Sequence, residues 1–88
     1  MSDPIIRILL VDDENELVDY LAKRLKKKGH EVVGVGSGKE ALEVMKDHTF
    51  DVAILDLKMP EMDGNECLTR MKDEQPHLQA IMLTGHGS

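Results

Sequence analysis

Three carboxylates in this chain follow directly on short apolar runs. Asp12 and Asp13 come after the run Ile5 to Val11, and Asp56 comes after the run Val52 to Leu55. Short apolar runs that end at polar or turn residues are typical of buried strands, so these side chains are expected at strand ends. Open parallel sheets bind their ligands beside the carboxyl ends of the strands. The three carboxylates are therefore the candidate site.

A cluster of three carboxylates predicts a bound cation. Each pair would repel by roughly 4 kcal/mol at about 4 Å and an effective dielectric constant of about 20. A hard divalent cation would offset this repulsion, and Mg²⁺ commonly takes one or two carboxylates, several waters and phosphate oxygens. The alternative is that Asp12 and Asp13 only cap the following helix and Asp56 only ends a strand. Because both groups fall at predicted strand ends, we favour the Mg²⁺ site.

Strand and helix patterns alternate along the chain. We predict strands over Ile5 to Val11, Glu31 to Val35, Asp51 to Leu55 and Gln79 to Leu83, and helices over Asn15 to Lys28, Ser37 to about Lys46 and Asn65 to about Asp73. The first helix has apolar residues at helical spacing and ends at Gly29. The second opens with a capping sequence at Ser37. A loop over residues 58–64 contains Pro60.

The alternation predicts an α/β fold with an open parallel sheet. Crossovers between parallel strands are almost always right-handed. If the first strand lies between the second and third, the strand order is 2-1-3-4. The first helix then covers one face, and the other two helices cover the opposite face. This order makes the first and third strands neighbours, so Asp12, Asp13 and Asp56 would surround one crevice.

Composition and charge narrow the class of partner. The 88 residues suit one domain, and 11 basic against 17 acidic residues give a net charge of −6. This charge repels phosphate backbones and anionic membranes, so no direct nucleic-acid or membrane partner is expected. The basic run Lys23 to Lys28 falls at a predicted helix end, where cations complement the helix dipole.

Cysteine usage and apolar run lengths predict a cytoplasmic location. Cys67 is the only cysteine, so it cannot form an internal disulfide, and we expect it to be a small core residue. No apolar stretch reaches the roughly 18 residues of a membrane span. The four histidines have no metal-ligand spacing and are expected at the surface. They are His30, His48, His77 and His86.

Three segments resemble the receiver domains of two-component response regulators. They are Arg7 to Glu14 (RILLVDDE), Asp51 to Gly64 (DVAILDLKMPEMDG) and Ile81 to Gly85 (IMLTG). The resemblance covers essentially the whole chain. It implies the flavodoxin-like, CheY-like form of the open parallel sheet. It also implies a role in a two-component phosphorelay.

The resemblance implies a role for each site residue. Asp56 would be the phosphoacceptor, taking a phosphoryl group from the phosphohistidine of a sensor histidine kinase or a phosphotransfer protein. Asp13 and Asp56 would bind Mg²⁺ directly, and Asp12 would act mostly through water. The main-chain carbonyl of Lys58 would be a further ligand. Thr84 would hydrogen-bond the phosphoryl group and report its presence.

An enzymatic reading is disfavoured by one residue. A phosphohydrolase of the aspartyl-phosphate type usually carries a second acid two residues after its nucleophile, and Lys58 occupies that position. We expect the Lys58 side chain to face solvent. The expected role is therefore a phosphoacceptor signalling domain and not an enzyme.

The chain lacks segments that the resemblance implies. Receiver domains continue with a helix, a fifth strand that ends in an active-site lysine, and a last helix. Residues 1–88 are therefore expected to form an incomplete receiver domain with four strands and three helices. Without the lysine, phosphoryl charge is only partly compensated. The alternative function is thus a receiver-like binding or dimerisation module that is deficient in phosphotransfer.

An incomplete sheet also predicts self-association. The helix Asn15 to Lys28 alone would cover one face of a four-stranded sheet, although parallel sheets occur almost only with both faces covered. The strand Gln79 to Leu83 would be an open edge. We therefore expect a homodimer formed through the uncovered face or edge, or by exchange of elements.

Overall fold

The computed structural model describes residues 5–56 and 64–83, in which strands and helices alternate. The strands are β1 (Arg7–Val11), β2 (Glu31–Val35), β3 (Val52–Asp56) and β4 (Gln79–Leu83), and the helices are α1 (Asn15–Lys27), α2 (Gly38–Met45) and α3 (Gly64–Glu74). None of these helices is both long and apolar enough to cross a bilayer.

The four strands form one parallel sheet in the order β2-β1-β3-β4. In its centre, Leu9 pairs with Val33 on one side and with Ala53 on the other, and Ala53 pairs with Ala80. The predicted strand order is confirmed. It makes β1 and β3 neighbours, which brings together the strand ends that precede the candidate carboxylates.

The helices divide between the two faces as predicted. On one face, the buried side chains of α2 and α3 pack against the sheet; they are Ala41, Met45, Cys67 and Met71. On the other face, Val18 of α1 packs against Ile8, Leu10 and Val32. Leu68 of α3 is half-buried, because the adjacent Cys67 takes the fully buried position of that helical turn.

β1 and β3 begin later in the sequence than predicted, and a side-chain hydrogen bond lies just before each start. β3 begins at Val52 rather than Asp51, and Asp56 is its last residue. The Asp51 side chain accepts a hydrogen bond from the Arg7 N–H at 2.9 Å, and the Asp51 N–H donates to the Arg7 carbonyl at 2.8 Å. Asp51 therefore anchors β1 to β3 just before the strand begins.

β1 begins at Arg7 rather than Ile5 because a histidine takes the place of a ladder partner. The Ile6 N–H donates to Nδ1 of His30 at 3.2 Å, and His30 is half-buried. The expectation of a surface position was therefore wrong for His30. Nδ1 of His30 is thus a hydrogen-bond acceptor for the backbone at the start of β1.

The side chain of Gln75, the residue that follows α3, holds the segment between α2 and β3. Gln75 Oε1 accepts from the Phe50 N–H at 2.9 Å, and Nε2 donates to the carbonyls of His48 at 2.8 Å and Met45 at 3.1 Å. These contacts hold backbone groups of the last residue of α2 and of the segment that follows it. They fix the approach of the chain to β3.

Part of the α1 face of the sheet carries apolar side chains near solvent. Ile54 of β3 pairs with Ile81 of β4. Ile54 is half-buried, and Ile81 is 51% exposed. Within the described residues, α1 is the helix on this face, and it packs on β1 and β2. The prediction of exposed apolar surface beside α1 is confirmed at Ile81.

Candidate functional site

The candidate site lies where β1 and β3 end side by side. Val11 pairs with Leu55 in the parallel register. Asp12 and Asp56 follow directly on these two paired residues. Neighbouring strands are separated by about 4.8 Å, so the two backbones are close enough for their side chains to share one ligand.

Asp12 is a buried carboxylate that turns the chain from β1 into α1. Asp12 is only 4% exposed. Oδ1 accepts a hydrogen bond from the Glu14 N–H at 3.0 Å, and the Asp12 N–H donates to the Val35 carbonyl at 3.2 Å. The first contact forms an Asx turn. The carboxylate is thus held in place at the end of β1.

The capping alternative for Asp12 and Asp13 does not match the helix start. The N-cap of α1 is Glu14, and it makes no side-chain capping hydrogen bond. The hydrogen bond that Oδ1 of Asp12 accepts comes from the N–H of Glu14, the N-cap residue, and not from an N–H inside the helix. Asp13 lies in the bend between β1 and α1 and is exposed. Both carboxylates are therefore in the connection between strand and helix.

Other predicted site residues lie wholly or partly outside the described residues. Lys58 and Thr84 fall in this category, as does the side chain of Asp56. Of the predicted loop over residues 58–64, Gly64 is described, and it begins α3 one residue earlier than expected. The described part of the site is thus Asp12, Asp13 and the backbone of Asp56.

The described donors suit a hard cation. Carboxylate oxygens are the ligands that Mg²⁺ prefers, and Mg²⁺ usually takes only one or two of them and keeps its remaining waters. A buried carboxylate such as Asp12 is costly to leave charged without compensation. Asp12 and Asp13 therefore offer the donor type that Mg²⁺ takes at this edge of the sheet.

Cys67 is remote from this chemistry and behaves as a core residue, as predicted. It is fully buried, and its Sγ lies 3.4 Å from Sδ of Met71. Burial raises the pKa of the Cys67 thiol; nearby Arg70 opposes this shift and Glu66 adds to it. The thiol is therefore protonated at neutral pH and is a poor nucleophile.

Sequence reasoning missed two side-chain contacts, one at the site and one at the opposite end of β3. The Asx turn at Asp12 depends on the Glu14 N–H, and a buried aspartate just before a helix is the signal that could have predicted it. The Gln75 contacts join residues about 25 positions apart in sequence, as for Phe50. No local pattern in the sequence predicts them.

Comparison with known proteins agrees with the fold. The family model of the response regulator receiver domain matches residues 8–88. The transcriptional regulatory protein GlrR of Escherichia coli (strain K12) is 41% identical over 88 residues, which are all of this chain and 20% of that protein. The chain belongs to the response regulator receiver domain family.

Solved receiver domains share the architecture. A CheY-like receiver domain protein from Methanospirillum hungatei JF-1 is 33% identical with a TM-score of 0.88, covering 97% of this chain and 68% of that one. The response regulator TrrA from Thermotoga maritima, solved in complex with Mg²⁺-BeF, is 31% identical with a TM-score of 0.83, covering 94% and 72%. The fold is thus the CheY-like, flavodoxin-like parallel sheet.

The chain spans about a fifth of the length of GlrR. Receiver domains are signalling domains that act in phosphorelays with histidine kinases, and in general they bind Mg²⁺. These are properties of the family to which this chain belongs.

Proposed function

We propose that this chain is a phosphoacceptor module of a two-component system, in which Asp56 receives a phosphoryl group from a histidine kinase or a phosphotransfer protein. The adjacency of β1 and β3 carries the proposal, because Val11 pairs with Leu55 and an aspartate follows each of these residues. Membership of the receiver domain family supports it.

In the proposed transfer, the phosphorus–nitrogen bond of a donor phosphohistidine breaks. A phosphorus–oxygen bond forms to a carboxylate oxygen of Asp56, and the electron pair of the broken bond returns to the imidazole. Such transfer depends on positioning and charge neutralisation more than on further covalent chemistry. Asp56 suits the role of nucleophile because it ends a strand whose neighbour fixes its backbone.

The remaining site residues neutralise and orient charge in this proposal. When bound, Mg²⁺ supplies positive charge between the carboxylates and the phosphoryl oxygens. Asp13 and Asp56 bind it directly, together with the main-chain carbonyl of Lys58. Asp12 acts through water, for which its fixed and buried carboxylate is suited. Thr84 donates its hydroxyl to a phosphoryl oxygen.

Incubation with Mg²⁺ and acetyl phosphate tests the proposal. Intact-mass measurement is expected to find a single phosphoryl adduct on the wild type and none on Asp56→Asn. Asp73→Asn is the matched control, because Asp73 is an exposed aspartate of α3, and it is expected to be modified like the wild type. A folded wild type that gains no adduct, or an adduct that persists on Asp56→Asn, would contradict the proposal.

A second candidate is a binding or dimerisation module that does not complete phosphotransfer. The exposure of Ile81 on the α1 face favours it, because a homodimer through this face or through the edge strand β4 would bury that side chain. Here a folded chain would gain no phosphoryl adduct.

Sedimentation at high micromolar concentration tests the proposed β4 homodimer. The wild type is expected to self-associate, and Ile81→Lys is expected to weaken this association. Gln79→Lys, at the other exposed position on the same side of β4, adds the same charge without removing an apolar contact and serves as the control. A wild type that sediments as a monomer would refute the homodimer.

The cellular setting belongs to the same proposal. A net charge of −6 argues against direct contact with nucleic acid or anionic membranes. The unpaired thiol of Cys67 fits a reducing compartment, and we propose the cytoplasm.

A further inference from the structure

The outer face of α1 is acidic in its first half and basic in its second half. Glu16 and Asp19 are exposed in the first half, and Lys23, Arg24 and Lys27 are exposed in the second. Among the described residues, the ion pairs are Arg7–Asp51, Lys46–Glu43 and Arg70–Glu66, and none of them includes a charge on this face of α1.

Packing on the sheet fixes which side chains of α1 point outward. Val18 is buried, and Leu21, Ala22 and Leu25 pack beside it. The opposite side of a helix carries positions three and four residues apart. It is formed here by the exposed stripe Glu16, Tyr20, Lys23 and Lys27.

An exposed aromatic side chain lies near the middle of this stripe. Tyr20 is 56% exposed. Nη1 of Arg24 donates to its hydroxyl at 3.1 Å, and the guanidinium lies 5.5 Å from the ring centroid. The ring is thus held in place at the surface, and held aromatic side chains are typical anchors of protein interfaces.

We propose that two copies of this chain associate through the outer face of α1, with the two helices antiparallel. The two-fold axis crosses this face at the height of the helix midway between positions 21 and 22. In this register Glu16 faces the partner's Lys27. Tyr20 faces the partner's Lys23. Two-fold symmetry forms each of these pairs twice.

The distribution of charge selects this partner and this direction. A parallel arrangement would put like charges opposite each other, whereas the antiparallel one pairs opposite charges and also opposes the two helix dipoles. A nucleic acid would meet the acidic first half of the same face, and the net charge of −6 would repel it. A second copy of the chain is the partner that complements both halves.

The association is expected to be weak. A helix of 13 residues is about 20 Å long, so contact along α1 alone falls at the small end of specific interfaces. Each copy also has the same net charge, which opposes approach. We expect dimers at high micromolar to millimolar concentration. This interface is independent of the phosphoacceptor proposal and uses a different surface from β4.

Charge reversal measured by sedimentation equilibrium tests the register. Glu16→Lys and Lys27→Glu each replace two attractive pairs by two repulsive pairs, and each is expected to raise the dimer Kd by about tenfold. The double variant Glu16→Lys/Lys27→Glu has the net charge of the wild type and restores both pairs. Its Kd is expected to return to within about twofold of the wild-type value.

Two controls separate the interface from other causes. Lys39→Glu, on the exposed side of α2, changes the net charge as Lys27→Glu does and is expected to leave the dimer Kd unchanged. Each reversal on α1 also opposes the helix dipole, so urea unfolding should find the double variant least stable. Recovery of dimerisation in the least stable variant cannot arise from helix stability.

Three results would overturn the proposal. One is a wild type that is monomeric at millimolar concentration. Another is a double variant that does not recover. The third is self-association that Ile81→Lys abolishes and Glu16→Lys leaves unchanged, because it would assign the contact to β4.

Discussion

Asp12 and Asp13 are adjacent in sequence but differ in environment, and the difference predicts different roles. Asp12 is buried and its Oδ1 accepts from the Glu14 N–H, so one oxygen is committed to the turn. Asp13 is exposed in the following bend. A committed, buried carboxylate is suited to orient water around a cation, whereas an exposed one can bind the cation directly.

Removal of either charge is expected to weaken Mg²⁺ binding, measured by calorimetric titration. Asp13→Asn should weaken it by at least about tenfold, and Asp12→Asn by about tenfold while the amide oxygen still accepts from Glu14. Asp19→Asn, an exposed position on α1, is the control and should bind like the wild type. An Asp13→Asn variant with wild-type affinity would contradict the assignment of Asp13 as a ligand.

Because the Cys67 thiol is buried, we predict that the protein loses stability at alkaline pH. Burial raises the pKa of its thiol in the folded state above the ordinary value of 9.0. The stabilising contribution is therefore complete below pH 9.0, where the thiol is protonated in both states, and is lost as the pH rises through the folded-state pKa.

Urea unfolding at about pH 8 and about pH 10 compares the wild type with Cys67→Ala, which has no thiol. The free energy of unfolding should fall more steeply with pH in the wild type. Both proteins carry the same lysines and tyrosine, so their titration cancels in the comparison. Equal slopes would show that the thiol is not protected by burial.

At the scale of the elements, the sequence predicted existence and type well and predicted boundaries less well. β2 and β4 have the expected bounds because their apolar runs end at turn or polar residues on both sides. β3 is shifted by one residue because Asp51 bonds Arg7 before the strand begins. Such contacts join residues far apart in sequence, so local patterns do not contain them.

The contact between α1 and β2 depends on a glycine in the strand. A methyl group at Gly34 would overlap Cγ1 of Val18, which α1 buries against the sheet. Val18 is branched at Cβ and has little freedom to move away. The absence of a side chain at Gly34 therefore sets how closely α1 approaches the sheet.

Gly34→Ala is expected to lower the free energy of unfolding by about 1–3 kcal/mol, measured by urea denaturation. Gly36→Ala is the control, because the nearest atom to an added methyl group there is Oε1 of Glu40 at 3.7 Å. Its effect should stay within about 0.5 kcal/mol. Equal stability of Gly34→Ala and the wild type would mean that α1 is free to shift.

At the scale of the whole molecule, the sequence predicted the topology of the sheet, but it predicted only part of the hydrogen bonding at and around the site. Right-handed crossovers and the alternating pattern predicted the order β2-β1-β3-β4, which brings the ends of β1 and β3 together. The burial of Asp12 follows from this order. The anchoring of the segment before β3 by Gln75 joins residues far apart in sequence, which local patterns do not contain, whereas the hydrogen bond between Asp12 and Glu14 is local.

Phosphorylation of Asp56 is the central claim, and chemical trapping of the modified residue tests it most directly. The chain is treated with Mg²⁺ and acetyl phosphate, reduced with borohydride, digested and analysed by peptide mass spectrometry. Borohydride converts an aspartyl phosphate to homoserine and leaves free aspartate unchanged. We predict homoserine at position 56 only, formed in the presence of Mg²⁺. Homoserine at another aspartate, or at none in a folded chain, would contradict the assignment of Asp56 as the phosphoacceptor.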